Sequence, residues 1–173
     1  GHTAIYDPVR DRMVVFGGDD GISYPNDVWA LSLAGSPAWS ALTPAGSPPS
    51  GRFLHKAIYD PVRDRMVVFG GWDGSSSRND VWALSLSGSP GWSELAPAGI
   101  APLARYSHTA IYDPVRDRMV VFGGDWGRND TWALSLAGSP AWSDLAPGGS
   151  LPYPREGHTA IYDPVRDRMV VFG

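Results

Sequence analysis

The sequence predicts an all-β fold of repeated four-stranded antiparallel sheets, and three observations carry that prediction. The segment AIYDPVRDRMVVFG occurs four times, at Ala4–Gly17, Ala57–Gly70, Ala110–Gly123 and Ala160–Gly173. Its copies are spaced 53, 53 and 50 residues apart, longer than ankyrin, tetratricopeptide or leucine-rich units and long enough for four short strands. Glycine (21 residues) and proline (16 residues) are abundant, as many tight turns between short strands require.

The elements of the first unit follow in order from runs of β-branched and aromatic residues bounded by Gly, Pro, Asp and Asn. Strand a is read at His2–Tyr6, strand b at Arg12–Phe16, strand c at Val28–Leu33 and strand d at Trp39–Leu42. Between a and b lies Asp7-Pro8-Val9-Arg10-Asp11, where proline presets φ for a turn and the Asp7 side chain can cap it. Gly17 and Gly18 end strand b with backbone freedom that a Cβ would remove. The strands are almost continuously apolar, which fits sheets covered on both faces by neighbours.

Arg52-x-x-His55 before strand a, Gly70-Gly71 after strand b, Asn79-Asp80-Val81-Trp82 opening strand c and Trp92 opening strand d recur in the third unit, with Thr131 in the place of Val81. This pattern resembles the kelch family along essentially the whole chain. The resemblance implies a β-propeller of four-stranded antiparallel kelch blades, with residues 1–53, 54–106 and 107–156 as full blades and 157–173 as the first two strands of a fourth. It also implies that the Arg-x-x-His pair hydrogen-bonds within the fold. Kelch blades usually diverge within a protein, whereas these are close to identical, as expected of recent amplification or deliberate concatenation.

Propellers close with about four to eight blades. Gly1–Gly17 is identical to Gly157–Gly173, so the two ends duplicate rather than complete each other. An open arc exposes blade faces and a strand edge. Self-association is therefore expected, head to tail into a six-bladed dimer or into a longer array. The start at Gly1 reads as an excised piece of something longer.

Bulk composition narrows the function. The chain is 43% hydrophobic and 12% aromatic, and its net charge of −4 arises from 18 acidic and 14 basic residues. The basic residues form no run that could track a phosphate backbone, so nucleic acid is not an expected partner. No stretch approaches the ~20 apolar residues of a membrane helix. The absence of Cys excludes disulfides, thiolate catalysis and Cys-ligated zinc. Lys56 is the sole lysine. That preference for Arg suggests a high-GC bacterial source, and bacterial kelch arrays are often extracellular or in the cell envelope.

Differences between copies are confined to two segments. The b–c loop reads DDGISYP, WDGSSSR and DWGR, and the d–a connection reads GSPPSGRFL, GIAPLARYS and GSLPYPREG. Consecutive antiparallel connections alternate between the ends of a sheet, so both segments belong to one face. Fourteen of the 20 aromatic residues sit at repeated positions. The other six, Tyr24, Phe53, Trp72, Tyr106, Trp126 and Tyr153, all fall in the variable segments. With Arg78 and Arg128 they form the candidate ligand-binding set, because aromatic rings offer large contact area at small entropic cost. The alternative is that they fold back as plugs over the blade ends.

Other constellations are weaker. His2, His55, His108 and His158 recur once per blade, a ring that could suggest a metal, although hydrogen bonding within the fold explains it. Asp19-Asp20-Gly21 and Asp73-Gly74 lack the ligand spacing and bidentate Glu of a Ca²⁺ loop. The Arg10, Asp11 and Arg12 band at the a–b turns reads as a solvated surface contributing little stability. No metal or cofactor is expected. The chain has no nucleophile elbow, Ser-His-Asp spacing or phosphate loop. Some kelch propellers are enzymes, among them galactose oxidase and sialic acid mutarotases. Were this one a sugar-modifying enzyme, Arg52, Arg105, Arg155 and Glu156 would be the acidic-sugar candidates. The reading is thus a non-catalytic scaffold for a protein or glycan. The alternative is a structural or engineered repeat assembly with no ligand.

Overall fold

A computed structural model describes residues 1–125 and 127–173. The first sheet is β1 (Thr3–Asp7), β2 (Arg12–Phe16), β3 (Val28–Ser32) and β4 (Ala38–Leu42), hydrogen-bonded in chain order. The second is β5 (Lys56–Asp60), β6 (Arg65–Phe69), β7 (Val81–Ser85) and β8 (Gly91–Leu95). The third is β9 (Thr109–Asp113), β10 (Arg118–Phe122), β11 (Thr131–Ser135) and β12 (Ala141–Asp144). A hairpin of β13 (Thr159–Asp163) and β14 (Arg168–Phe172) follows. All pairings are antiparallel and keep one register, with Ile5 opposite Val14, Ile58 opposite Val67 and Ile111 opposite Val120. Strand a begins at Thr3 and ends at Asp7, one residue later at each end than its expected span. Asp7 belongs to the strand because it pairs with Arg12.

The first strands of successive sheets lie side by side, β1 against β5, β5 against β9 and β9 against β13. Strand a is therefore where the backbones of neighbouring blades come closest. Each a–b turn is closed by its own aspartate: Asp7 Oδ1 accepts the backbone N–H of Val9 and of Arg10, both at 3.2 Å. Asp60 and Asp113 repeat this.

Two apolar clusters fill the spaces between blades. Ile5, Val14, Phe16 and Val28 of the first sheet meet Met66, Val68, Leu84, Leu86 and Trp92 of the second. The second cluster repeats this list one blade on, from Ile58 and Phe69 to Met119, Leu136 and Trp142. Each sheet thus has two unlike faces, one of Ile, Val and Phe and the other of Met, Leu and Trp with one Val. Burying such side chains contributes about 1.5–3 kcal/mol each, so the core lies between blades rather than inside them. At the two ends the faces are uncovered. Trp39 is 54% and Phe172 80% exposed, while Trp92 and Phe69 inside the arc are 7% and 0% exposed.

At the a–b turns, salt bridges run from blade to blade. Arg10 reaches Asp64 at 2.6 Å, Arg63 reaches Asp117 at 2.7 Å and Arg116 reaches Asp167 at 2.6 Å. This corrects the expectation of a merely solvated band. Asp7 and Asp60 are fully buried and each also binds the Arg five residues on, at 2.8 Å.

Candidate functional site

The variable segments meet where strand b ends. Gly18 N–H donates to the Arg52 carbonyl at 2.9 Å and Gly71 N–H to the Arg105 carbonyl at 2.9 Å, so each Gly-Gly doublet docks on the next d–a connection. Gly17 and Gly70 have φ of 61° and 65°. A Cβ on either would approach those carbonyls to 2.8 and 2.7 Å, which is why the doublet is glycine. Beyond it the connections bond to one another in series. Leu54 N–H donates to the Gly1 carbonyl at 2.7 Å, Ser107 N–H to Leu54 at 3.0 Å and Gly157 N–H to Ser107 at 2.9 Å.

On this frame the aromatics pair across connections. Tyr24 stacks on Phe53, with ring centroids 4.7 Å apart and an 11° interplanar angle. Trp72 meets Tyr106 edge to face at 5.8 Å. The Phe53 and Trp72 backbones exchange two hydrogen bonds of 3.0 and 2.9 Å, which locks the b–c loop of the second blade to the connection before it. All four rings are half-buried, whereas Tyr153 is exposed. Trp126 lies outside the described residues.

The candidate arginines are tied into the loops. Arg78 bonds Asp73 of its own loop. The Asp73 carboxyl, raised by burial but lowered more by the backbone N–H groups of Ser76 and Ser75 and by Arg78, is held at about 2. Arg128 donates to the Ala104 carbonyl at 3.2 Å and lies 3.9 Å from Asp125.

Arg52 and Arg105 are not ligand groups, which corrects the acidic-sugar assignment. Both are fully buried. Arg52 donates to the Gly70 carbonyl at 2.9 Å and grips both oxygens of Asp80 at 2.7 and 2.8 Å. Arg105 does the same to Gly123 and Asp130. Burial raises the Asp80 carboxyl, and the Arg52 hydrogen bond and charge more than reverse this, leaving it below its ordinary value. These arginines pin the entry of strand c to the end of strand b.

In the Arg-x-x-His pairs the arginine does the hydrogen bonding within the fold and the histidine chiefly packs. His55 and His108 are buried, but neither ring offers a nitrogen in hydrogen-bonding geometry with a partner. They pack edgewise against Phe16 and Phe69 of the preceding blade at 5.1 and 5.3 Å. His158 differs, with its Nε2 2.9 Å from the Thr109 hydroxyl. Burial, then the Arg52 charge, pushes His55 down to about 3. Among the described residues no group of His, Asp or Glu is arranged to hold a metal ion, and no helix is long and apolar enough to cross a membrane.

Sequence reasoning missed the Arg–Asp clamp and the blade-to-blade salt bridges. The one trace of them in the sequence is that Arg52, Asp80, Arg10 and Asp64 each recur in the next unit, as Arg105, Asp130, Arg63 and Asp117.

Comparison with known proteins agrees with this architecture. The family model described as the KLHDC2/KLHL20/DRC7 Kelch-repeats domain matches residues 1–173. The chain is 30% identical over 131 residues to the leucine-zipper-like transcriptional regulator 1 homolog of Drosophila melanogaster, covering 71% of this chain and 12% of that protein. It is 35% identical over 128 residues to dynein regulatory complex subunit 7 of Chlamydomonas reinhardtii, covering 72% of this chain and 10% of that protein. With Kelch domain-containing protein 2 of Bos taurus it shares 37% identity over 87 residues, half of this chain and 20% of that protein. The chain therefore spans a small part of the relatives it matches. The repeated sheets, the Gly-Gly doublets docked on the following arginine and the full-length family match together show that the chain belongs to the kelch-repeat family.

Proposed function

We propose that the chain is a non-catalytic interaction scaffold that binds a protein ligand, with a glycan as the alternative, on the face made by the b–c and d–a loops. Tyr24, Phe53, Trp72, Arg78, Tyr106, Trp126, Arg128 and Tyr153 are the proposed contact set. One observation carries this reading. The half-exposed pairs Tyr24–Phe53 and Trp72–Tyr106 sit in the segments that change from blade to blade, above a frame that repeats almost without change. Rigid frames with variable aromatic loops are where binding usually resides. The burial of Arg52 and Arg105 takes two of the four acidic-sugar candidates out of reach of a ligand.

The test is selection of peptides and a glycan array against the chain, followed by the double variant Y24A/W72A. The expected result is at least a ~10-fold loss of affinity, equal to about 1.4 kcal/mol, with the melting temperature nearly unchanged. A collapse of the fold, or unchanged affinity, would overturn the assignment.

A structural assembly is the second reading, favoured by the exposure of Trp39 and Phe172 on opposite terminal faces. We infer that copies associate head to tail, as a six-bladed dimer or a longer array. The repeat units proposed for it are residues 1–53, 54–106 and 107–156. A bacterial, extracellular or envelope setting rests on the arginine preference, and the relatives named above are eukaryotic.

A further inference from the structure

We propose that Lys56 and His108 form a binding site for a compact oxyanion, of phosphate or carboxylate type, where β5 begins beside the third blade. The site uses none of the aromatic contact set and does not depend on it.

The sequence marks this position. The segment His2–Gly17 is identical to His108–Gly123 and to His158–Gly173. The copy at His55–Gly70 differs at a single residue, where Lys56 stands in the place of Thr3, Thr109 and Thr159. That one exchange supplies the sole lysine of the chain. Lys56 opens β5 opposite Phe69 as Thr109 opens β9 opposite Phe122. Threonine is the better strand residue, so the strand itself does not call for the change.

The geometry shows what the exchange does. In the third blade the Thr109 hydroxyl lies 2.9 Å from Nε2 of His158, whose ring packs edgewise on Phe122 at 5.3 Å. His108 packs on Phe69 in the same way at 5.3 Å, which sets it before Lys56 as His158 is set before Thr109. A hydroxyl both donates and accepts, whereas the ammonium that takes its place only donates. His108 is fully buried, and neither of its ring nitrogens meets a protein partner. Buried polar atoms in folded proteins are almost always satisfied. A neutral imidazole carries one N–H, so His108 and Lys56 present donors to the same place. An oxyanion, with several lone pairs, accepts from both.

Space favours a compact ion that approaches over Lys56. A Cβ on Gly70 would lie 3.1 Å from Cε1 of His108, and one on Gly124 3.2 Å from its Cβ. The backbone thus hems in the ring on those two sides. Lys56 is half-buried, and its long flexible stem is the movable cover.

Charge points the same way. Arg63, Arg65, Arg78 and Arg105 of the second blade each meet a carboxylate. Lys56 meets none among the described residues, and burial lowers its ammonium without an acid to hold it up. Its charge also reaches His55, His108 and His158, pushing each further below its ordinary value after burial and the neighbouring arginine have done so. Arg52 and Arg105 are already engaged by Asp80 and Asp130. The uncompensated charge is therefore that of Lys56. An anion offsets it, whereas a metal ion at the imidazoles would meet a like charge.

The single lysine makes the test direct. With isotope-labelled lysine the chain gives one side-chain amine signal by NMR. Inorganic phosphate or acetate, added at constant ionic strength, should move that signal saturably, and which of the two does so separates the phosphate from the carboxylate type. K56T carries the residue of the other three copies and should keep the wild-type melting temperature. By calorimetry K56T should bind the same anion at least ~10-fold more weakly, as loss of a charged hydrogen bond entails. K56R should retain binding. H108F keeps a ring against Phe69 without the nitrogens and should lose affinity likewise. A lysine signal indifferent to both anions would overturn the proposal. So would K56T or H108F binding the anion as tightly as the wild type.

Discussion

Arg52 and Asp80 form a two-pronged pair of 2.7 and 2.8 Å in which the arginine is sealed from solvent and the aspartate opens to it on one side. The same guanidinium also satisfies the Gly70 carbonyl at the end of β6. One side chain therefore ties the d–a connection, strand b and the entry of strand c into a single joint. We predict that Arg52→Ala costs about 3 kcal/mol, since it strands a partly buried carboxylate and a carbonyl. The D80A/R52A double variant should cost less than the sum of the single changes. Urea unfolding of the four proteins forms the cycle, and additive losses would show that the residues act separately.

Acid should loosen the contacts between blades before it loosens the blades. His55, held near 3 by burial and Arg52, and His108, held well below its ordinary 6.5 by burial and Arg105, take up a proton more readily when unfolded. Their contribution is whole above the unfolded value of 6.5 and is lost as pH falls below it. Asp80 and Asp130 add a loss at lower pH, because their folded values lie below the ordinary 3.8. Melting temperature should fall between about pH 7 and about pH 5, before any carboxylate titrates. In the H55F/H108F variant this segment should flatten. A wild-type melting temperature that stays level over the same range would exclude the histidine effect.

Gly46→Ala should be more harmful than Gly88→Ala. Both glycines have left-handed φ, 81° and 60°, so alanine costs each about 1–2 kcal/mol. Only Gly46 would also press its Cβ to within 2.7 Å of a carbonyl, that of Trp92, while Gly88 meets nothing within 4 Å. Thermal melts should therefore rank Gly46→Ala clearly below Gly88→Ala. Equal shifts would mean that the connection yields without strain.

The strands and the closure of the a–b turn by Asp7 were legible because local chemistry dictates both. Alternation and β-branching set the strands, and Asp-Pro sets the turn. The Arg52–Asp80 joint was not, since it links residues 28 positions apart whose meeting depends on how strand c returns beside strand b. A charged residue in a loop segment reads as exposed when taken alone. The same blindness placed Arg10 on a solvated surface, although its partner Asp64 belongs to the next blade. For the aromatics, sequence located the variable segments, and their pairing as Tyr24–Phe53 and Trp72–Tyr106 emerged only with the connections laid side by side.

The two unlike faces of each blade bear on inheritance as well as on packing. Because every Ile-Val-Phe face accepts every Met-Leu-Trp face, a recombination event that adds or removes one whole repeat leaves each surviving blade with a neighbour of the same kind. Gene-level slippage by one period therefore changes the size of the array while keeping the apolar contacts between blades. Only the loops of the variable face record which copy is which.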